Sequence, residues 1–195
     1  MVSVGVTGHR VLAEVKKLEA GIDAALAEIE RHFGDAPITI VSALAEGADR
    51  LAAERVLLRP GARLEAVLPL PQPEYERDFQ EASSLVAFRQ LLARADRVVE
   101  LPDRSGDQDG RVEAYLAGGQ YLLDHCDVIL AVWDGQGAQG RGGTGNIVEL
   151  ATAQGLPVAW VHAGNRKPGT MTPTSLGNDQ GRVTYTSFPN IHGSV

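Results

Sequence analysis

The chain has 195 residues, 44% hydrophobic and 22% charged, with a formal net charge of −7, a balance that suits one soluble globular domain with a full core. No Lys/Arg cluster rises above the acidic background, which excludes nucleic acid as the main partner, because neutralising phosphates needs a basic face. The single cysteine, Cys126, excludes an intramolecular disulfide. No stretch approaches the ~18 unbroken apolar residues of a membrane helix and no signal-peptide pattern opens the chain, so a cytoplasmic protein without a membrane partner is expected.

In chain order, VSVGVTG at Val2–Gly8 reads as a short buried strand, with Gly8-His9-Arg10 in the turn after it. Leu12, Val15, Leu18, Ile22, Leu26, Ile29 and Phe33 recur at helical spacing, and Gly34 and Pro37 end that helix. ITIVSAL at Ile38–Leu44 is a second strand, Ala45-Glu46-Gly47-Ala48-Asp49 the turn into a helix through Leu51 and Val56, and Leu64–Leu70 a third strand. A short helix is expected over Pro73–Phe79, a longer one over Leu85–Ala95, a fourth strand at Arg97–Leu101, a surface loop over 102–110 and a helix over Val112–His125. Gly118-Gly119 lies inside that last helix and weakens it by roughly 1 kcal/mol per glycine, which points to close packing or a flexible point.

DVILAVWD at Asp127–Asp134 is a continuous β-branched-rich apolar run, the pattern of a strand buried on both faces in a parallel sheet. It leads into Gly135, Gly137, Gly140, Gly142, Gly143 and Gly145, and Thr144 is expected to cap a helix from Asn146 to Gln154. Strand, glycine-rich turn and helix start together make a phosphate cradle, since free N–H groups at a helix start favour an anion. Pro157–His162 is a sixth strand. After Gly164 the composition turns to Gly, Pro, Ser, Thr and Asn, read as a loosely ordered tail over 164–195 with an edge strand near Arg182–Ser187. The fold class that follows is α/β: a doubly wound, Rossmann-like three-layer sandwich with a mainly parallel sheet, formed by a nucleotide-binding domain over 1–163.

In such a sheet the ligand lies beyond the strand carboxyl ends, where Thr7-Gly8-His9-Arg10, Glu46-Gly47-Ala48-Asp49, the segment 69–79 and the segment 135–144 all fall. Arg10 supplies a permanent fork for phosphate, and His9 a hydrogen bond to phosphate or ribose. Glu46 is a candidate acceptor for ribose or base, or else a capping carboxylate. Asp49 is a ligand contact or a helix-start charge. Tyr75 and Asp78 belong at the ligand's far end or to local packing. Trp133 stacks on a base or packs in the core, Asp134 and Gly135 sit where strand meets cradle, and Arg141 reaches a phosphate or solvent. His32, His125, His162 and His192 are scattered, so neither a metal nor a cofactor is expected.

VGVTGHR, SALAEGADRLAA, LPLPQPEYERDF and DVILAVWDG…GRGGTGNIVELA resemble the SLOG superfamily, the Rossmann-like nucleotide-binding proteins that include DprA and the LOG (lysine-decarboxylase-like) phosphoribohydrolases. The resemblance implies a nucleotide-like ligand with its phosphate on the glycine-rich turn, and a homodimer as in LOG-like relatives. A second resemblance, over Asp127 to Val158, is to nucleoside 2-deoxyribosyltransferases. LOG enzymes carry a glutamate three residues after the threonine of the cradle, whereas Glu149 here follows Thr144 by five. Gly118-Gly119 occupies the place of their Arg-Lys pair. These departures favour a sensor or binding module for a nucleoside phosphate or ADP-ribose-like ligand. The alternative is an enzyme acting on an N-glycosidic bond, with Glu46 or Glu149 as the catalytic carboxylate.

Overall fold

A computed structural model of the chain describes residues 1–102, 108–137 and 142–188; Arg141 and His192 lie outside the described residues. The strands are β1 (Val2–Gly8), β2 (Ile38–Ser42), β3 (Arg63–Leu68), β4 (Arg97–Glu100), β5 (Val128–Trp133), β6 (Val158–His162) and β7 (Val183–Thr186). The helices are α1 (Val15–His32), α2 (Ala48–Val56), α3 (Gln72–Tyr75), α4 (Ala82–Leu92), α5 (Gln108–His125) and α6 (Thr144–Ala153). The strands form one seven-stranded sheet in the order β4-β3-β2-β1-β5-β6-β7. Every pairing is parallel except that of β7 with β6. Helices cover both faces, which makes the molecule a three-layer, Rossmann-like α/β sandwich. No helix of the described residues is long and apolar enough to cross a membrane.

Alternation along β5 distributes its side chains between the two faces. Val128, Leu130 and Val132 pack with α1, α2 and α4, while Ile129, Ala131 and Trp133 join Leu122, Leu123, Ile147 and Ala151 of α5 and α6. All six of these β5 residues are buried, which is why the run shows no polar alternation in sequence. On α1, Leu18, Ile22, Ala25, Leu26 and Ile29 are buried on one stripe, each of the larger ones contributing roughly 1.5–3 kcal/mol by leaving water. The helix starts at Val15 and not at Leu12. Glu14 is left-handed with φ 47°, and the Ala13 carbonyl accepts from Gln180 Nε2 at 2.9 Å, so the chain before Val15 is committed elsewhere.

Residues 164–188 are tied to the domain by named bonds. Lys17 Nζ donates to the Gly177 carbonyl at 3.1 Å, Gly181 N to the His162 carbonyl at 2.8 Å, and Gly164 N to Gln180 Oε1 at 2.9 Å. β7 supplies the edge strand expected near Arg182–Ser187 and closes one margin of the sheet. The fit against α1 is close. A Cβ on Gly21 would lie 2.3 Å from the Gly181 carbonyl oxygen, against which glycine alone fits.

That contact gives a prediction opposite in sign to helix propensity, which favours Ala over Gly by about 1 kcal/mol. Gly21→Ala will destabilise the protein by about 1–3 kcal/mol through overpacking. Gly118→Ala, whose Cβ would meet Pro69 at an ordinary 3.6 Å, will be neutral or stabilising. Urea unfolding of both variants checks this; a Gly21→Ala protein as stable as wild type would remove the close approach of α1 to residue 181.

Candidate functional site

Strand order reverses between β1 and β5, and crevices in open α/β sheets form at that switch point, beyond the strand carboxyl ends. Here the loops leaving β1, β2 and β5 are locked together through backbone. His9 N donates to the Val132 carbonyl at 2.9 Å and Ala48 N to the His9 carbonyl at 3.0 Å. A Cβ on Gly8 would lie 2.4 Å from both Ala48 Cβ and the Val132 oxygen, and one on Gly47, which has φ +79°, would lie 2.4 Å from the His9 oxygen. Glycine at positions 8 and 47 therefore permits loop against loop, with backbone as the neighbour in each case.

Above this lock is a cavity of about 350 Å³. Thr7 and Gly8 of β1, Ala43, Ala45 and Asp49 after β2, and Val67, Pro69 and Tyr75 at the β3 end form its floor and one wall. Gly142, Gly143 and Thr144 form the other wall, with Tyr115, Gly118, Gly119 and Leu122 of α5 above. The glycine pair in α5 is thus a packing feature and a cavity surface together. A Cβ on Gly119 would sit 2.1 Å from Ile147 Cδ1 of α6, so Gly119 lets α5 and α6 approach.

Of the residues singled out in sequence, Thr7, Gly8, Arg10, Asp49, Tyr75, Gly142, Gly143 and Thr144 line this cavity. Thr144 is not the cap of α6. Gly143 occupies that position with φ −79° and ψ 168°, no side chain caps the helix, and Thr144 instead receives a hydrogen bond from Thr7 Oγ1 at 3.3 Å. The reason is that Thr144 already has helical geometry as the first residue of α6, while Gly143 has the extended conformation a capping residue takes.

Other candidates stand outside the lining. Glu46 lies beside it, 3.7 Å from Arg10 Nη2 and accepting a bond from the Ser84 hydroxyl. His9, Gly47 and Asp134 form the layer beneath. Trp133 is 7% exposed within the α5/α6 core, its ring 5.8 Å from that of Trp160, and a Cβ on Gly135 would meet the Trp160 ring at 2.6 Å. Glu149 is exposed, its carboxylate near Gly137. Five residues after Thr144 it is turned about 140° around the helix from it.

α5 contributes residues that sequence did not single out. Tyr115 and Arg111 line a second cavity of about 380 Å³ together with Arg10, Arg77, Asp78 and Gln80. Arg10 and Tyr115 line both chambers. Arg111 donates to Glu74 at 2.9 Å and also to Asp78, the Tyr115 hydroxyl donates to Asp78, and Arg77 pairs with Glu74 at 2.6 Å. Tyr115 falls on the apolar spacing of its helix, so in sequence it is indistinguishable from a core aromatic.

Burial dominates the protonation of the site. It pushes the Asp49 carboxyl up to about 6, although the Ala45 amide and the Ser42 hydroxyl favour the charged form. Burial, then Asp78, pushes Tyr115 up to about 12, and burial raises Tyr75 well above the ordinary tyrosine value. The cavity therefore presents neutral phenols and a carboxyl that titrates just below neutrality.

No family model matches this chain, and no curated protein matches it. Among solved structures, the X-ray structure of TM1055, a structural-genomics target, is similar over 81% of this chain and 72% of that one, with 17% sequence identity and a TM-score of 0.46.

His9 yields a pH prediction. Its Nε2 accepts from the Asp134 amide at 3.0 Å, which requires the unprotonated nitrogen, and burial lowers its pKa from 6.5 against the raising effect of Asp134. The unfolded chain then binds the proton more readily, so the stability held by neutral His9 is present above pH 6.5 and is lost as pH falls below it. Asp49 has the opposite slope between 3.8 and about 6, so the His9 contribution is read as a difference. His9→Gln keeps an acceptor for Asp134 and removes the titration. The wild type will lose stability relative to this variant between about pH 7.5 and about pH 5 in urea unfolding; parallel curves would mean that His9 takes up its proton without cost.

Proposed function

We propose that this chain is a nucleotide-binding module of the SLOG type, holding a nucleoside phosphate or an ADP-ribose-like ligand at the carboxyl edge of the sheet. The observation that carries the reading is the switch-point cavity, with the uncapped start of α6 on one wall and Arg10 at its rim. Backbone N–H groups at such a start favour a phosphate, and Arg10 adds a charged fork. The deeper surface of Val6, Ala43, Val67, Pro69, Leu122 and Ile147 is apolar and suits the flat face of a base. A few polar groups around an apolar chamber are the usual make-up of a small-molecule site.

Binding without turnover is the better supported form of this reading. Glu149 is turned about 140° around α6 from Thr144 of the lining, and Glu46 is held by the Ser84 hydroxyl. Neither carboxylate lines the space where a ribosyl carbon would sit.

A thermal-shift screen with AMP, ADP, ADP-ribose and the parent nucleosides tests the proposal, with free base measured chromatographically in the same samples. Nucleotides will stabilise the protein, by about 2.7 kcal/mol at a hundredfold excess over Kd, and will be recovered with the glycosidic bond intact. Gly143→Val will abolish this stabilisation while folding normally, because φ −79° and ψ 168° suit a β-branched residue. Arg10→Ala will weaken a nucleotide more than its nucleoside by ~1.5–3 kcal/mol, as expected for a charge-assisted bond. Free base released in proportion to protein, and lost in Glu46→Gln or Glu149→Gln, would replace binding by N-glycosidic hydrolysis; a screen in which no nucleotide stabilises the protein would end the reading.

A further inference from the structure

Asp49 is the carboxyl group among the lining residues of the switch-point cavity, and it is only 7% exposed. Its hydrogen-bond donors are neutral and local. Oδ2 accepts from the Ser42 hydroxyl at 3.3 Å and the Ala45 amide at 3.4 Å, with the Ala43 amide also close enough to favour its charge. Arg10, the cation of the lining, makes its ion pair with Glu46, and its charge also favours the ionised form of Asp49. A carboxylate has two oxygens and about four lone-pair sites. Those three local donors leave acceptor capacity on a buried group that faces a chamber, and a ligand donor is what would complete it.

Position narrows the kind of donor. β2 pairs with β1, and β1 with β5, so neighbouring strand ends are about 4.8 Å apart across the sheet edge. Gly142–Thr144 follow β5, and Thr144 meets Thr7 of β1; Asp49 follows β2, and Val67, Pro69 and Tyr75 belong to β3 and the chain after it. A nucleotide laid along this edge, phosphate on the cradle and base toward Tyr75, brings its sugar to the β2 position. Ribose differs from deoxyribose there by one hydroxyl, a neutral donor suited to a carboxylate.

We propose that Asp49 is the specificity-determining residue for the sugar, accepting hydrogen bonds from the vicinal hydroxyls of a ribonucleotide. This rests on the nucleotide reading above and adds to it a selection of ribo- over deoxyribonucleotides.

The test is calorimetric titration of AMP, GMP, CMP and UMP and of their 2′-deoxy and 3′-deoxy counterparts into the wild type and Asp49→Asn. Asparagine keeps the size of the side chain and an oxygen for Ser42 and Ala45, and removes the charge. The wild type will bind a ribonucleotide about tenfold or more tightly than its deoxy forms, the range of a charge-assisted hydrogen bond. Asp49→Asn will lose that preference, weakening the ribonucleotide more than either deoxy form, each of which retains only one of the two hydroxyls. A merely structural Asp49 would instead lower all affinities together. If Asp49→Asn fails to fold, Asp49→Ser, which retains a hydroxyl for the Ala45 amide, takes its place. Nucleotides that bind with no ribose preference, or a preference that survives in the variant, would overturn the role of Asp49 and leave the nucleotide reading standing. No binding by any of these nucleotides to the wild type would overturn both.

Discussion

The close approach of three backbone segments at Gly8, His9 and Gly47 is the constraint on which the site depends. His9 N reaches across to β5, the His9 carbonyl receives Ala48 N from α2, and His9 Nε2 receives the Asp134 amide. Loops after β1, β2 and β5 thus share one residue as their common partner. Any side chain at position 8 or 47 would push against backbone oxygens at 2.4 Å, and backbone cannot rotate away as the tip of a side chain can. The lock explains how a sheet edge made of connecting loops holds a chamber of defined shape. The cavity floor is covalently continuous with strands whose positions the core already fixes.

Charge in this molecule is organised locally. The chain is acidic overall at −7, yet an anion at the cradle would meet helix-start amides and Arg10, not the average. Arg77 and Arg111 are satisfied by Glu74 and Asp78, which leaves Arg10, 3.7 Å from Glu46 and with a half-exposed side chain, as the cation least committed at the cavity rim. An exposed pair at that separation is worth little, so Arg10 can exchange Glu46 for a phosphate at small cost. The net charge of the sequence carried none of this information.

Much of the architecture was legible because parallel sheets impose continuous apolar runs. VSVGVTG, ITIVSAL and DVILAVWD each read as strands and each contains one, β2 ending at Ser42 and β5 spanning Val128–Trp133, and the repeat from Leu18 to Ile29 reads as a helix face and is one. Boundaries were legible only where local chemistry sets them: α1 begins at Val15 because Ala13 and Glu14 are used by the segment 164–182, a contact of high sequence separation that no window contains. Thr144 had the residue type of a cap without the conformation of one. Gly118-Gly119 pointed to close packing or a flexible point, and Ile147 packs closely against Gly119. The contribution of Arg111 and Tyr115 was hidden, since a helical repeat states which residues face inward but not whether inward means core or cavity. Glu149 illustrates the converse. Its spacing from Thr144 did indicate that it need not share the face of α6 that meets the chamber.

Two chambers that share Arg10 and Tyr115 as lining residues set a limit on the ligand under the nucleotide reading. The first, about 350 Å³, is at the small end of the range for ligand pockets, roughly 300–1,000 Å³, and accommodates a mononucleotide. An ADP-ribose-like ligand is longer and would need the second, about 380 Å³, whose walls carry Arg77, Arg111, Asp78 and Gln80. That chamber is polar and its charges are internally paired, so it would receive a second ribose by hydrogen bonds more readily than a second phosphate by charge. The diphosphate of such a ligand would pass the rim where Arg10 stands. The same arginine would then contact the phosphate of a short ligand or the bridge of a long one.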